Sequence, residues 1–469
     1  MSERVTGDLQ DILQSARDLL QDAIVTYRGR PVGTKAACNP RFEVAFNYSE
    51  CFVRDFVSVA LVHLADGNPE IVRNFLLAVD EVCSRGERMA GQDLHPGVML
   101  ASFRVESEKG EERLQADFGN RAIGRVAPVD SMMWWAVLLL VYQRATGDVG
   151  LAQRPEFQRR LELSLDLCLK ASFEVFPTLL VPDGCCMIDR RMGVYGHPLE
   201  IQALFGALLD VGLSLLEPTK DNRSLLERAA QRQEVLKSYV RERYWLDRAR
   251  LTEIHRFRTE EFGSTSVNAL NIHPDSMPEW VSDWLPDECG YMVGNLGPGR
   301  IDFRFFALGN LLAVLFALAT EDHATNLFRL YDKRWEDLVG DAPLRITFPA
   351  VVEDEWRVLT GSDPKNTPWS YHNGGSWPVL LWPFVAAALR AGRRDLAQHA
   401  FDQVAARCAA EDWPEYYDGH RGSLVGRYAN LRQVWSASGL LASHQLLHRP
   451  EILNWLQVDS ALRKDAEKD

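Results

Sequence analysis

The chain has 469 residues, of which 46% are hydrophobic and 25% charged, so it can bury a sizeable core. Its 52 basic and 65 acidic residues give a formal net charge of −13. A protein surface with this charge repels phosphate backbones and anionic lipid, so we expect no nucleic-acid or membrane partner. The N-terminal segment lacks a signal peptide's basic start and apolar run, and no stretch reaches the ~20 apolar residues that span a bilayer, so we expect a cytoplasmic protein.

Apolar residues recur with helical periodicity along most of the chain. The spacing predicts twelve helices, at 9–27, 55–66, 71–86, 131–146, 157–174, 199–216, 222–241, 303–319, 322–338, 377–392, 394–410 and 431–447. Most come in closely spaced pairs, strand signals are few, and there is no linker or fixed-period repeat. This indicates an all-α protein forming one compact domain over residues 1–469, a closed helical barrel, with residues 450–469 as a flexible tail.

Eight cysteines are scattered through the sequence without C-x-x-C spacing. In the absence of a secretion signal, this pattern favours reduced thiols over a disulfide framework. The adjacent pair Cys185-Cys186 could be redox-active, but two small buried residues are the more ordinary interpretation.

Two loop segments place a carboxylate among apolar or aromatic residues: VPDGCCMIDRR, which contains Asp189, and DWPEYYDG, which contains Glu415. Burial or a cationic neighbour can shift the pKa of such a carboxyl, and glycoside hydrolysis needs two carboxyls, one to protonate the leaving oxygen and one opposite it. An acid beside Trp and Pro is also a common turn or cap residue, so the pattern alone leaves both interpretations open. The sequence contains no serine-nucleophile elbow, P-loop, dinucleotide fingerprint or zinc-protease motif.

Three further segments combine polar and aromatic side chains. Arg54-Asp55 lies at a predicted helix start. There Asp55 either interacts favourably with the helix dipole or, together with Arg54, binds sugar hydroxyls. Asp130 and Trp134 are either a helix cap beside a core aromatic or a second hydroxyl clamp. The segment WSYHNGGSWP, residues 369–378, concentrates donors, acceptors and aromatic faces, and its two glycines let backbone approach a ligand closely. We expect this last segment to belong to a binding site.

Together these segments resemble the neutral/alkaline invertases of plants and cyanobacteria (glycoside hydrolase family 100), most closely the cyanobacterial form. The resemblance rests on six stretches in the family's order, NYSECFVRDF, AIGRVAPVDS, CCMIDRRMGVYGHPLEIQALF, DFRFFALGN, DPKNTPWSYHNGGSWPVLLWP and DWPEYYDG, and covers the chain from about residue 40 to 445. It implies an (α/α)6 barrel that hydrolyses sucrose to glucose and fructose with inversion of configuration. It also implies no cofactor, no metal and a homo-oligomeric assembly.

The resemblance also implies residue roles. Asp189 is expected to be the general acid and Glu415 the general base. The residues expected to bind the sugars are Tyr48, Arg54, Asp55, Asp130, Trp134, Arg190, Gln202, His372, Trp377, Trp413 and Tyr416. Two positions depart from the plant pattern, His95 and His197, and these could alter affinity or the pocket's outer edge.

Two other classes of function stay open at this point. A sugar epimerase on the same barrel would remove a proton from carbon and usually needs two histidines across the pocket, whereas only His372 has a promising setting. A non-enzymatic scaffold would explain the helices and the acidity but leaves the polar-aromatic clusters without a purpose.

Overall fold

The helices begin and end close to where the apolar periodicity predicts them. The computed structural model describes residues 9–39, 47–83, 88–89, 92–119, 127–171, 174–181, 184–188, 192–256, 277–297, 300–424 and 430–458. Within these ranges the α-helices are α1 (Leu9–Asp22), α2 (Phe56–Ala65), α3 (Pro69–Glu81), α4 (Ser131–Thr146), α5 (Pro155–Cys168), α6 (Leu199–Leu215), α7 (Arg223–Arg243), α8 (Arg248–Arg256), α9 (Glu279–Trp284), α10 (Ala307–Leu315), α11 (Glu321–Lys333), α12 (Trp335–Leu338), α13 (Glu353–Thr360), α14 (Leu381–Arg390), α15 (Arg394–Ala410) and α16 (Val434–His448). A helix is found in each of the twelve predicted ranges, but residues 24–27 form a strand and not the end of the first helix, and residues 303–306 belong to a strand that precedes α10. The helices α8, α9 and α13 were not predicted.

Six of these helices are apolar on every side and form a closed inner ring. All of α10 is buried, as are 15 of the 17 residues of α6, and such helices need neighbours all round. Each inner helix packs against the next in the order α2, α4, α6, α10, α14 and α16, and α16 packs back against α2.

Six amphipathic helices, α1, α3, α5, α7, α11 and α15, form the outer layer. In α7 the buried residues Ala229, Arg232, Leu236 and Val240 recur every three or four positions, so one stripe faces the barrel. Inner and outer helices alternate along the chain, and the helices of each pair run in opposite directions, so the inner helices all begin at one end of the barrel. The chain is therefore a helical barrel of the (α/α)6 class, as the sequence predicts.

The strands lie in the connections between helices. They are β1 (Ile24–Tyr27), β2 (Arg30–Thr34), β3 (Cys51–Phe52), β4 (Arg88–Met89), β5 (Gln92–Asp93), β6 (Ser102–Glu108), β7 (Glu111–Asp117), β8 (Ala127–Pro128), β9 (Glu174–Val175), β10 (Thr178–Leu179), β11 (Gly184–Cys185), β12 (His197–Pro198), β13 (Trp245–Asp247), β14 (Gly290–Gly297), β15 (Arg300–Phe306) and β16 (Thr347–Phe348). β6 and β7 form a hairpin that β3 joins, and the order β12-β14-β15-β16 makes the largest sheet, with β13 also paired to β14. These sheets fix the loops that precede the inner helices.

The chain end differs from the prediction. Residues Pro450–Leu456 form a 3₁₀ helix that packs against α4 and α16, and Ile452, Leu456 and Val458 are buried. The predicted flexible tail is therefore wrong for residues 450–458, because these apolar side chains cover the ends of two inner helices; residues 459–469 lie outside the described ranges. A second 3₁₀ helix, Pro378–Leu380, leads into α14. The buried apolar residues form one cluster from Ile12 to Val458.

None of the seven cysteines whose side chains are described forms a disulfide bond. Across the described part of the chain, no helix combines the length and the apolar character that crossing a bilayer requires.

Candidate active site

Most of the predicted site residues that the structure describes lie at the end of the barrel where the inner helices begin. Asp55 and Asp130 occupy the N-cap positions of α2 and α4, yet neither side chain makes a capping hydrogen bond. Trp377 directly precedes the 3₁₀ turn into α14, and Glu415 lies in the loop that leads to α16. The partial positive charge of helix N-termini favours carboxylates at this end of the barrel.

Glu415 is a buried carboxylate held by a tyrosine. Its side chain is 4% exposed, and the Tyr48 hydroxyl lies 2.9 Å from Oε1 and 3.0 Å from Oε2, donating to the carboxylate. The backbone N–H of Glu415 donates to the Asn430 carbonyl at 2.7 Å, which fixes the loop. Burial and the nearby Glu415 raise the pKa of Tyr48 well above its usual value, so the hydroxyl keeps its proton and remains a donor.

Arg54, Asp55 and Asp130 form a second group of charges beside Glu415. Arg54 Nη1 donates to Asp130 Oδ2 at 2.6 Å, and Asp130 is only 1% exposed. Burial raises the pKa of Asp130, and Arg54 opposes that shift. Burial raises the pKa of Asp55 to about 7; Arg54 again opposes the shift, while the negative charges of Glu415 and Asp130 add to it.

An aromatic group borders the carboxylates. The rings of Trp377 and Tyr416 stack with centroids 5.4 Å apart, and Tyr371 lies 5.2 Å and 5.3 Å from them. His372 stacks on Tyr371 at 3.9 Å and lies 5.0 Å from Trp377. Aromatic faces pack well against the apolar face of a sugar ring, but Trp377 and Tyr416 are fully buried, so Tyr371 is the most exposed ring of this group. The structure therefore brings His372, Trp377 and Tyr416 together.

The loop before α14 is tightly folded on itself. Trp369 and Tyr371 both have positive φ, 67° and 49°, a strained conformation that is typical of functional loops. A Cβ on Gly375 would lie 2.5 Å from the Tyr371 carbonyl oxygen, so no larger residue fits. At Gly375 the close approach that the structure shows is to the loop's own backbone.

Two predicted tryptophans have packing roles. Trp134 is 2% exposed and makes edge contacts with Phe316 and Trp382 inside the barrel, so only its Nε1–H, which has no partner among the described residues, is left for a hydroxyl. Trp413 points toward the outer layer, where Nε1 lies 3.3 Å from Ser15 Oγ on α1. Direct sugar stacking on either ring is therefore not supported.

Gln202 also differs from its prediction. Its amide oxygen accepts from the Leu179 N–H at 2.8 Å, and its amide nitrogen donates to the Leu179 carbonyl at 3.0 Å. With both ends of the amide bonded to backbone, Gln202 holds the 178–181 segment against α6 and has little capacity left for a sugar.

Two predicted residues, Asp189 and Arg190, lie outside the described ranges. The segment before them is described: β11 pairs in parallel with β8, directly upstream of Asp130. Ile188 and Met187 are buried. The chain that leads into Asp189 is therefore adjacent to the Arg54–Asp130 pair.

Several site groups were missed from the sequence. Glu200, in the first turn of α6, is 1% exposed beside Asp130 and Arg54. Asn430 Nδ2, Gln433 Oε1 and Trp435 Nε1 are buried near Glu415 and Trp377 without hydrogen-bond partners among the described residues. Buried polar atoms normally find partners, so these groups are candidates for sugar hydroxyls. For Glu200, the signal available in the sequence was an acidic residue within an otherwise apolar helical pattern.

The two histidines that depart from the plant pattern lie in different settings. His197 is buried on β12, paired with β14, and burial lowers its pKa. His95 accepts from the Gly97 N–H at 3.0 Å and lies 3.9 Å from Asp166, on α5.

No group of three or more His, Cys, Asp or Glu side chains within the described ranges is arranged to hold a metal ion.

Comparison with known proteins shows which family this chain resembles. The family model for alkaline and neutral invertase matches residues 16–450. "Cytosolic invertase 1" of Oryza sativa subsp. japonica is 48% identical over 450 residues, covering 96% of this chain and 80% of the relative. "Neutral/alkaline invertase 1, mitochondrial" of the same plant is 45% identical, covering 96% and 73%. A solved wild-type glycosidase superimposes with a TM-score of 0.57 at 14% identity, covering 94% of this chain and 97% of its own, a likeness of fold.

Proposed function

The chain belongs to the family of alkaline and neutral invertases and is a glycoside hydrolase, and from that premise we propose that it hydrolyses sucrose to glucose and fructose with inversion of configuration. The observation that carries the proposal is the buried Glu415 carboxylate, whose two oxygens both lie within hydrogen-bond distance of the Tyr48 hydroxyl. Aromatic rings and the Arg54–Asp130 ion pair lie beside it.

Glu415 is suited to the role of general base. A base must present an oriented acceptor to the proton that it removes. The Tyr48 hydroxyl fixes the carboxylate plane, and the loop bond from Glu415 N–H to Asn430 fixes the backbone. In an inverting enzyme such a base activates a water on the face of the sugar opposite the leaving group, with the two carboxyls about 6.5–9.5 Å apart.

Asp189 is proposed as the general acid that protonates the leaving oxygen. The proposal rests on its place in the family motif MIDRRMG, and it is supported by the described residues immediately upstream, which run beside Asp130. Arg190 would then stand next to the acid, and its charge would favour the ionised carboxyl unless burial or Glu415 opposes it.

The remaining residues are proposed to bind the substrate. Arg54 can donate to hydroxyls while Asp55 and Asp130 accept from them. The half-buried ring of Tyr371, which the fully buried Trp377 and Tyr416 support, can pack against a sugar ring. A site that pairs many hydroxyls rejects analogues that leave its polar groups unmatched, which supports specificity for sucrose. This chemistry needs no cofactor, and we propose cytoplasmic location and homo-oligomeric assembly on the family resemblance.

Purified wild type, Asp189→Asn and Glu415→Gln should be incubated with sucrose, with released glucose and fructose measured separately. We expect hydrolysis by the wild type and losses of about 10²-fold or more in kcat for both variants, since each removes a proton-transfer group. Asp412→Asn is the matched control, because this loop acid lies three residues from Glu415 with a side chain 53% exposed. Full activity in both catalytic variants would refute the assignment, and an epimerase would leave the glycosidic bond of sucrose intact.

A further inference from the structure

Glu200 is a buried acid for which the proposed reaction has no role. It is the second residue of α6 and is 1% exposed in the wall of the barrel. Its Oε1 accepts a hydrogen bond from the Met187 N–H at 2.9 Å. Its Oε2 is also buried and has no hydrogen-bond partner among the described residues.

The contact with Met187 reaches the segment that leads into Asp189. Met187 is two residues upstream of Asp189 and follows β11, which runs beside β8 and Asp130. Gln202, two positions further along the same helix turn, holds Leu179 at the other side of this connection. The first turn of α6 therefore anchors the connection at two backbone positions, and Glu200 makes the anchor nearer to Asp189.

The surroundings of Glu200 favour its neutral form. Burial raises the pKa of Glu200 to about 8, and the negative charge of Asp130 adds to the shift, while the Met187 N–H and Arg54 oppose it. The neighbouring inner helix α10 brings no charged residue, and its Gly309 packs against the backbone of Glu200. Ionising a carboxyl in such a place is costly, so the neutral acid is the form that fits the site at neutral pH.

We propose that Glu200 is a positioning residue for the general acid: as a neutral carboxylic acid it accepts the Met187 N–H through Oε1 and so holds the backbone two residues before Asp189. This inference rests on the proposed function, since it takes Asp189 as the acid. It assigns the role to hydrogen-bonding capacity and not to negative charge.

Two substitutions separate these properties. Glu200→Gln keeps an acceptor for Met187 and a donor in place of the hydroxyl, so it mimics the neutral acid. Glu200→Met conserves the volume but removes both, which avoids opening a cavity in the core. We expect Glu200→Gln to keep kcat on sucrose within about threefold of wild type. We expect Glu200→Met to lower kcat by about 10- to 100-fold with KM changed by less than about threefold, because misplacing a catalytic group by about an ångström has effects of that size.

Hydrogen–deuterium exchange of the Met187 amide provides a readout that does not depend on activity. The amide should be protected in wild type and in Glu200→Gln and should exchange faster in Glu200→Met, while the Leu179 amide, held by Gln202, serves as an internal control. If Glu200→Met does not fold, Glu200→Asp, whose shorter side chain cannot reach Met187, replaces it.

Wild-type kcat in Glu200→Met, or equal loss of activity in Glu200→Gln and Glu200→Met, would overturn the inference. If the wild type released no hexose from sucrose, the proposed function would fail and the catalytic part of the inference with it. The exchange rate of the Met187 amide would still decide whether Glu200 anchors this segment, so the two failures are distinguishable.

Discussion

The hydroxyl of Tyr48 should matter for turnover because it is the side-chain donor seen on Glu415 among the described residues. The substitution Tyr48→Phe removes that hydroxyl, whose distances to the two carboxylate oxygens are 2.9 and 3.0 Å, and leaves the ring in place. A hydrogen bond to a charged group contributes about 1.5–3 kcal/mol. If that much stabilisation of the transition state is lost, kcat falls by roughly 10- to 150-fold.

The assay is steady-state release of glucose from sucrose, with unfolding temperatures measured alongside. Tyr142→Phe is a matched control, because the Tyr142 hydroxyl also bonds a carboxylate, Asp148, at 3.1 Å, but at the opposite end of α4 from Asp130. We expect Tyr142→Phe to keep wild-type kcat. A Tyr48→Phe enzyme with wild-type kcat, or equal kcat losses in both variants, would refute the idea that the Tyr48 hydroxyl orients the base.

Sucrose should be hydrolysed far faster than maltose, trehalose or raffinose, because unmatched buried donors and acceptors penalise other glycosides; comparable kcat/KM on maltose would indicate a general α-glucosidase. Stability should also depend on pH in a defined direction. Because the folded-state pKa of Asp55, about 7, lies above its ordinary value of 3.8, the native state binds more protons than the unfolded state between these values, and the free energy of unfolding should fall as pH rises from about 4 to about 7. Asp55→Asn should flatten this fall in urea titrations and the exposed Asp221→Asn should not; an unchanged profile in Asp55→Asn would contradict the shift.

The helical layers could be predicted because periodicity is a local signal. The hairpin of β6 and β7 was not predicted, because SFRVESE and EERLQAD carry many charges and their pairing depends on a partner that the pattern does not specify. The short strands that flank site loops pair over long separations, which periodicity cannot reveal.

The residue pattern marked several segments of the candidate site, but the roles of their residues came only from the family resemblance. Tyr48 and Glu415 are 367 residues apart, and the closure of the barrel brings them together. Motif membership did not give side-chain direction: Trp413 is near Glu415 in sequence but points toward α1, and Gln202 is bonded to backbone. Glu200 was visible as an acid in an apolar helix, LEIQALFGALL, yet its role depends on the backbone N–H that it meets.

The configuration of the first glucose released from sucrose tests the role of Glu415 as a general base most directly. Early-time proton NMR should show β-glucose before mutarotation, because water activated by Glu415 enters opposite the departing oxygen. We propose that the bond broken joins glucose C1 to the glycosidic oxygen, so mass spectrometry in ¹⁸O-labelled water should place the label in glucose and not in fructose. Label in fructose alone would overturn that assignment but not sucrose hydrolysis itself. Initial α-glucose carrying the label would contradict the inverting mechanism and the role of Glu415 in it.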